Sequence, residues 1–442
     1  MNKAPLTTRD GRTVDAITPV ILSASRSTDI PACYAKWLIE RIKDGYAACI
    51  NPLDLNPSYV SFEKTRVIVF WTKNPEPLLP YLSILDDMGL NYYFQFTLND
   101  YHEYGNIIEK NVPSLSKRLD IFARLYELVG SKRIIWRYDP ILLDKTKLTV
   151  ESHLEKINNI GKQLRGMTEK LVFSFADVKD YREVQNNLLR LYLYTHSNVL
   201  SAEPDCEQKN AIAKGISELR TGWKKYLDWD VTVATCAEDI DLSSFGIEQN
   251  RCIDPDLIDE LFSHKDPALR SYLDSFRNKA CSKRRNDRFQ NELFSYSSTE
   301  NRNEADDDSS QFDLFSSGNS ETKDRTEEER FNYCKFKDKT QRRACGCVTS
   351  TDIGMFNTCL HQCAYCYNNT SNEHAMNNHK FHRVDDESII PFSLSAEWQD
   401  NLPEDVFYRA GADTHFNGQD HYCDCFTSYP RNDLDDDEDV PF

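Results

Sequence analysis

The sequence predicts an α/β fold built on a parallel sheet, in the form of a full or partial (β/α) barrel. Three observations carry this expectation. Short apolar, β-rich runs recur from residue 19 to about 236, helix-like stretches separate them, and the runs end on polar and aromatic residues. In chain order the runs are Val20–Ser23, Ala47–Ile50, Val67–Trp71, Tyr92–Leu98, Arg133–Tyr138, Leu171–Phe175 and Val231–Ala234. The helical candidates between them include Ala32–Lys43, Leu115–Leu128, Glu151–Leu164 and Cys206–Lys225. Strands alternating with helices favour parallel pairing, and near-continuous apolar strands are buried on both faces. Seven such units suit a barrel better than a sandwich.

The strand ends predict where a site would form. They carry Ser25-Arg26-Ser27-Thr28-Asp29, Asn51-Pro52, Trp71-Thr72-Lys73-Asn74-Pro75, Arg137-Tyr138-Asp139-Pro140 and Cys236-Ala237-Glu238-Asp239. Asn, Asp and Pro are ordinary turn residues. Arg, Lys and Trp are not, and barrel sites are built at the carboxyl ends of strands.

Composition bounds the rest. The chain has 442 residues, 40% of them hydrophobic, which fits a folded body plus polar segments. The body is expected over 16–277 and 334–425, with a disordered linker over 278–333 and an acidic tail over 426–442. The net charge of −18 argues against a broad electrostatic grip on nucleic acid. No apolar run approaches the ~18 residues of a membrane span, and Met1–Ile17 has no apolar core of a secretory signal. A cytoplasmic protein without a membrane partner is the expectation.

Eight of the fourteen cysteines follow residue 330, and five lie between Cys345 and Cys366. In a cytosolic chain such clustering points to metal ligands rather than disulfides. The key run is Cys359-Leu-His-Gln-Cys363-Ala-Tyr-Cys366. Three thiolates in one loop suit three irons of a [4Fe–4S] cluster and leave the fourth open for chemistry. A zinc knuckle using His361, His374 or His379, or plain structural thiols, are the alternatives. Cys345-Gly-Cys347, with Cys236 and Cys252, supplies four more thiols for an auxiliary cluster or zinc, or merely for small buried hydrophobes.

The spacing of the key run, with the aromatic Tyr365 before the last Cys, resembles the signature of the radical S-adenosylmethionine (SAM) superfamily. In that superfamily the open iron binds SAM, and one electron cleaves it to a 5′-deoxyadenosyl radical. Ser25–Pro31, Phe70–Pro75, Trp136–Pro140 and Asp338 through Tyr367 resemble a bacterial family known as domain of unknown function eighteen-forty-eight. Its C-terminal cysteines are similar to those of radical SAM enzymes, whose cysteines usually follow the first barrel strand. The late position here implies a circular permutation, with Cys347–Ile353 lying as a strand against Val20–Ser25. The resemblance implies that Cys359, Cys363 and Cys366 hold the cluster and that Tyr365 packs against it or against the adenine of SAM. The permuted order carries over no SAM contacts by position; from their places at the strand ends, Arg26, Asp29 and Asn74 are expected to bind SAM, and Lys73, Arg137, Asp139 and Glu238 to act on the substrate. A flavodoxin-like reductant is implied.

Two pentapeptides, Gln290–Phe294 and Gln311–Phe315, share the form Q-x-x-L-F and resemble peptides that dock on the bacterial sliding clamp. Gln290 and Gln311 would set the register, and Leu293, Phe294, Leu314 and Phe315 would fill an apolar groove. The end, Asp435 through Val440-Pro441-Phe442, resembles the acidic tip of single-stranded-DNA-binding proteins, which docks on replication and repair partners. The leading expectation is a radical SAM enzyme modifying or repairing DNA. The alternatives are the same enzyme acting on RNA, protein or a small molecule, and a non-catalytic, metal-stabilised adaptor at the replication fork.

Overall fold

A computed structural model describes residues 3–50, 57–275, 338 and 344–391. The chain separates into two units, Met1–Asp254 with Asp338–Phe442, and Pro255–Lys337. The second unit is described only over residues 255–275 and contains helix α8 (Pro255–Phe262), with Ile258 and Phe262 buried. The expected linker peptides and acidic tail lie outside the described residues. Among the described residues no helix is long and apolar enough to cross a membrane.

The first unit is mixed α/β. Its main sheet has eight strands: β3 (Ile21–Ala24), β6 (Val67–Thr72), β7 (Asn91–Thr97), β9 (Ile134–Ile141), β10 (Lys170–Phe175), β11 (Thr232–Thr235), β12 (Glu248–Gln249) and β13 (Thr351–Asp352). The order is β12-β11-β10-β9-β7-β6-β3-β13, and every pairing is parallel. Seven strands therefore follow the chain, and the last one in sequence sits beside the first. Thr351 pairs with Leu22 and Asp352 with Ser23, so the expected contact between the cysteine segment and the first run is present. The strand itself covers only Thr351–Asp352 of the expected Cys347–Ile353.

Six of the seven expected runs are in this sheet. Ala47–Ile50 is not. It belongs to β4 (Tyr46–Ile50) in a separate sheet with β1 (Lys3–Thr7), β2 (Thr13–Ile17) and β5 (Pro57–Ser61), in the order β1-β2-β5-β4. A short apolar run does not reveal its partner, and here β4 turns back antiparallel on β5. The folded body also begins earlier than residue 16, because β1 pairs with β2 from Lys3 onward. The expected helix Ala32–Lys43 is two helices, α1 (Ile30–Cys33) and α2 (Ala35–Asp44). Tyr34 breaks them with φ −137° and ψ 27°, and its hydroxyl donates to the Thr358 carbonyl at 2.7 Å.

Two faces of the sheet explain the long apolar runs. On β7 all seven residues are buried. Phe94 stacks on Phe70 at 5.0 Å, and Phe96 stacks on Phe122 of α4 (Leu115–Val129) at 5.2 Å. On β9, Trp136 meets Trp223 of α7 (Cys206–Leu227), and Tyr138 meets His153 of α5 (Val150–Gln163). These even-numbered residues face the helices. The helices start where the chain supplies caps: Ser114 for α4, Thr149 with Ser152 for α5, and Asp205 with Gln208 for α7. Buried Ile121, Phe122, Leu125 and Val129 make the apolar stripe of α4 at helical spacing.

The odd-numbered residues Tyr93, Gln95, Arg137 and Asp139 take the opposite face. Tyr93 Oη and Gln95 Nε2 donate to the Cys252 carbonyl, just past β12, at 2.6 and 3.0 Å. In a flat sheet four strand spacings of about 4.8 Å, or ~19 Å, would separate β7 from β12. The sheet therefore curls, and this face becomes concave.

Candidate functional site

The concave face carries two thiol-rich constellations. The first lies in the loop after β13. Asp352 anchors that loop: its carboxylate accepts from Ser23 Oγ and Ser25 Oγ at 2.6 Å each, and from Arg26 N and Gly354 N at 2.8 Å each. A Cβ at Gly354 would overlap the Ser25 hydroxyl, so this approach needs glycine.

Cys359, Cys363 and Cys366 follow. Cys363 forms an isolated antiparallel bridge with Glu109, and Cys366 N donates to Cys363 O at 3.1 Å. Asn368 N donates to Cys366 Sγ at 3.4 Å. Burial pushes the thiols of Cys363 and Cys366 up, the latter to about 11, and the neighbouring thiols add to both shifts. Cys359 differs. A hydrogen bond from Cys33 outweighs its burial, His361 adds to the effect, and its thiol falls to about 6.

Charged groups brace this loop. Asp29 accepts from Ala32 N at 2.9 Å, from Lys73 N at 2.7 Å and from His361 Nε2 at 2.7 Å. Burial lowers the His361 pKa, but Asp29 overcomes that and raises it. Lys73 Nζ pairs with Glu109 Oε1 at 3.0 Å and lies 5.4 Å from the centre of the Tyr365 ring. The Tyr365 hydroxyl donates to Glu109, and Arg118 Nη2 stands 3.8 Å from it. Burial raises a carboxyl, but Lys73 and Arg118 hold Glu109 down at about 2. Asn99 Nδ2 donates to Glu109 at 3.3 Å and to the Asp139 carbonyl at 2.8 Å, joining β7 and β9 beneath the loop.

The second constellation joins the ends of β11 and β12 to the segment before β13. Cys236 Sγ and Cys252 Sγ stand 3.3 Å apart. Cys347 lies within electrostatic reach of the Cys252 and Cys345 thiols, and Ile253 N donates to its Sγ at 3.4 Å. Arg137 Nη1 donates to Cys252 Sγ at 3.0 Å and to Gln95 Oε1 at 3.3 Å, and the same guanidinium pairs with Asp139. Asp139 also accepts from Ser174 Oγ. Glu238 accepts from Phe175 N at 2.9 Å and faces Lys209 Nζ at 3.7 Å.

The expected site residues thus fall into two groups. Lys73 and Asp29 meet the cysteine loop, which itself carries Tyr365, and Arg137 and Asp139 meet the second thiols, while Glu238 is held by Phe175 N and Lys209. Arg26 bridges toward both: its N–H donates to Asp352, and its guanidinium lies 3.8 Å from Asp338 and 5.2 Å from the centre of the Trp71 ring. Asn74 acts in its own turn, with Oδ1 accepting from Glu76 N at 3.3 Å. Glu109, Asn99, Arg118 and Cys33 were not among the expected residues. Asn99 follows β7 and obeys the strand-end rule used for the others. Glu109 lies in an irregular stretch with no periodic signal.

Among the described residues no three His, Cys, Asp or Glu side chains stand together in a way that would hold a single metal ion. A cubane cluster sets each thiolate on its own iron, so its ligands need not converge on one point. Three thiols in one loop, Cys363 buried and Cys359 and Cys366 half-buried, are a donor set of that kind.

The fold and site therefore define an α/β protein with a thiol-rich centre at the carboxyl ends of parallel strands. The chain belongs to the family described as a domain of unknown function (DUF1848), whose model matches residues 21–288 and 314–368. The match spans both constellations and leaves 289–313 outside it, where the pentapeptide Gln290–Phe294 lies. No curated protein and no solved structure matches the chain.

Proposed function

We propose that this chain is a radical SAM iron–sulfur enzyme on a permuted, partly closed (β/α) barrel. The observation that carries the reading is the loop of Cys359, Cys363 and Cys366, placed by β13 beside β3 at the mouth of a curled parallel sheet. Seven strands in chain order, with the last strand in sequence docked on the first, support the permuted reading.

Cys359, Cys363 and Cys366 would hold a [4Fe–4S] cluster. When bound, such a cluster supplies one electron to cleave SAM and so start radical chemistry at the substrate. The chain's own groups then have definable work. Asp29 fixes His361 and with it the backbone between the first two cysteines. Lys73 and Glu109, buried as a pair, keep the wall next to Cys363 dry and set. The Tyr365 hydroxyl, held on Glu109, turns its ring toward Tyr101 at 5.9 Å, an apolar surface suited to a planar base. Arg137, Asp139 and Ser174 offer polar contacts deeper on the concave face.

The test uses protein purified without oxygen. About four irons with matching sulfide per chain are expected to be lost when Cys363 is changed to Ala. Reduction in the presence of SAM should yield 5′-deoxyadenosine, and Cys363→Ala should abolish it. Iron without SAM cleavage, or zinc in place of iron at this loop, overturns the reading.

For the substrate we favour DNA, on sequence grounds: the two Q-x-x-L-F peptides and the acidic Val440-Pro441-Phe442 end would bring the enzyme to the sliding clamp and to replication and repair proteins. Purified clamp should be retained by the chain and lost when Leu293, Phe294, Leu314 and Phe315 are changed to Ala. Equal retention by both proteins removes the DNA assignment and leaves RNA, protein or a small molecule.

A further inference from the structure

We propose that Cys236, Cys252, Cys345 and Cys347 form a second, tetrathiolate site that takes a thiophilic metal centre and fastens the two ends of the curled sheet together. The inference does not rest on the radical SAM reading and would stand without it.

The four thiols come from three separate stretches of chain, yet they gather in one place. Cys236 meets Cys252 at 3.3 Å, Ile253, next to Cys252, donates its N–H to Cys347 Sγ at 3.4 Å, and Cys345 lies two residues from Cys347 and within its electrostatic reach. Tetrahedral bonds of about 2.3 Å from zinc to sulfur imply sulfur–sulfur edges of ~3.8 Å, against 3.3 Å for Cys236 and Cys252. The thiols do not yet surround one point. A zinc ion would draw the four thiols into a tetrahedron, and an iron–sulfur cluster would use them in a more open form.

Hydrogen-bond donors are aimed at two of the sulfurs. Arg137 Nη1 donates to Cys252 Sγ at 3.0 Å, Asn250 Nδ2 donates to the same sulfur at 3.3 Å, and Ile253 N donates to Cys347 Sγ at 3.4 Å. Donors aimed at sulfur are worth most when the sulfur is charged. They are also the usual outer partners of metal-bound thiolates. Arg137 is buried and Arg26 lies within electrostatic reach of Cys347, so two guanidiniums face the group. Gly346, between the last two cysteines, lets the chain lie against Arg251, whose Cγ would be 2.9 Å from a Cβ there.

The position explains a need for such a fastening. β12 and β13 are the two edges of the main sheet. Between their flanking segments runs a backbone bond from Val348 N to Ile253 O at 3.2 Å. Cys252 and Cys347 are the immediate neighbours of those two residues, on opposite sides of the seam. A metal centre here would do what a strand ladder does elsewhere in the sheet.

The test counts metal on chains purified without oxygen, with folding checked by circular dichroism. The variant Cys363→Ala, which breaks the loop site, should retain about one zinc per chain, or iron with matching sulfide. Zinc alone identifies a mononuclear site, and iron with sulfide identifies a cluster. Adding Cys252→Ser should remove nearly all of it. In the unaltered chain, alkylation mapped by mass spectrometry should reach these four thiols only after a chelator or an oxidant is added. Equal metal in the single and double variants overturns the proposal. So does alkylation that chelator and oxidant leave unchanged, or a Cys236–Cys252 disulfide in the native chain.

Discussion

Glu109→Ala is expected to cost ~3–5 kcal/mol of folding stability, the range for breaking a buried ion pair by removing one partner. Glu109 is 6% exposed, and its partners Lys73 and Arg118 are 14% and 4% exposed at the side chain. Truncation would leave two cations facing each other with no anion between them and would strip the Tyr365 hydroxyl of its acceptor. Glu109→Gln keeps the acceptor for Tyr365 and loses the charge, so it should lie between the two. The pair contributes less than the truncation suggests, because both ions lose water on folding. The double variant Glu109→Leu/Lys73→Met should therefore cost less than the sum of its singles. Denaturant midpoints check this. The Cys363→Ala background keeps the comparison free of any change in bound metal. A Glu109→Ala cost below ~0.5 kcal/mol, the size of an ordinary surface change, would sink the account.

What was legible in the sequence follows from how each feature is encoded. The β6, β7, β9 and β10 strands were legible because both faces are covered, which writes them as apolar runs. Their odd-numbered polar ends were legible because Arg137 and Asp139 interrupt such a run. The sheet to which Ala47–Ile50 belongs was not legible, since its partner Pro57–Ser61 begins with a turn residue and carries little apolar pattern. The cysteine loop was legible from spacing alone.

The loop's supports were not. Glu109 reaches Cys363 through a bridge 254 residues along the chain, and Cys33 reaches Cys359 as a lone cysteine on a short helix. Neither relation leaves a local mark. Asp352 is the intermediate case. Its strand was expected beside Val20–Ser25, but nothing in Ser350-Thr351-Asp352 announces that one carboxylate will take four donors.

The second large effect concerns acid. Between pH 6.5 and 4 the chain is expected to lose ~3 kcal/mol through one residue, His153. His153 is fully buried on α5, and burial holds its pKa at about 4, with Lys156 adding to the shift. Its Nε2 lies 2.9 Å from the Leu142 carbonyl, which can only accept, so Nε2 carries the proton. Nδ1 then accepts from the Tyr138 hydroxyl at 2.8 Å. Protonating Nδ1 would reverse that bond and place a charge among Tyr138, Tyr101 and Lys156, with Asp144 and Asp100 offering only partial relief. The sign follows directly. The folded pKa lies below the unfolded value near 6.5, so the unfolded chain binds the extra proton first. Stability from this residue is complete above pH 6.5 and drains away as pH falls toward 4. His153→Gln keeps a donor for Leu142 and an acceptor for Tyr138 but cannot titrate. Carboxylates also titrate at the acid end of this window, so the difference between the two proteins isolates the histidine. Equal slopes of stability against pH in both, measured by denaturant titration, would show that the buried imidazole is not the group responsible.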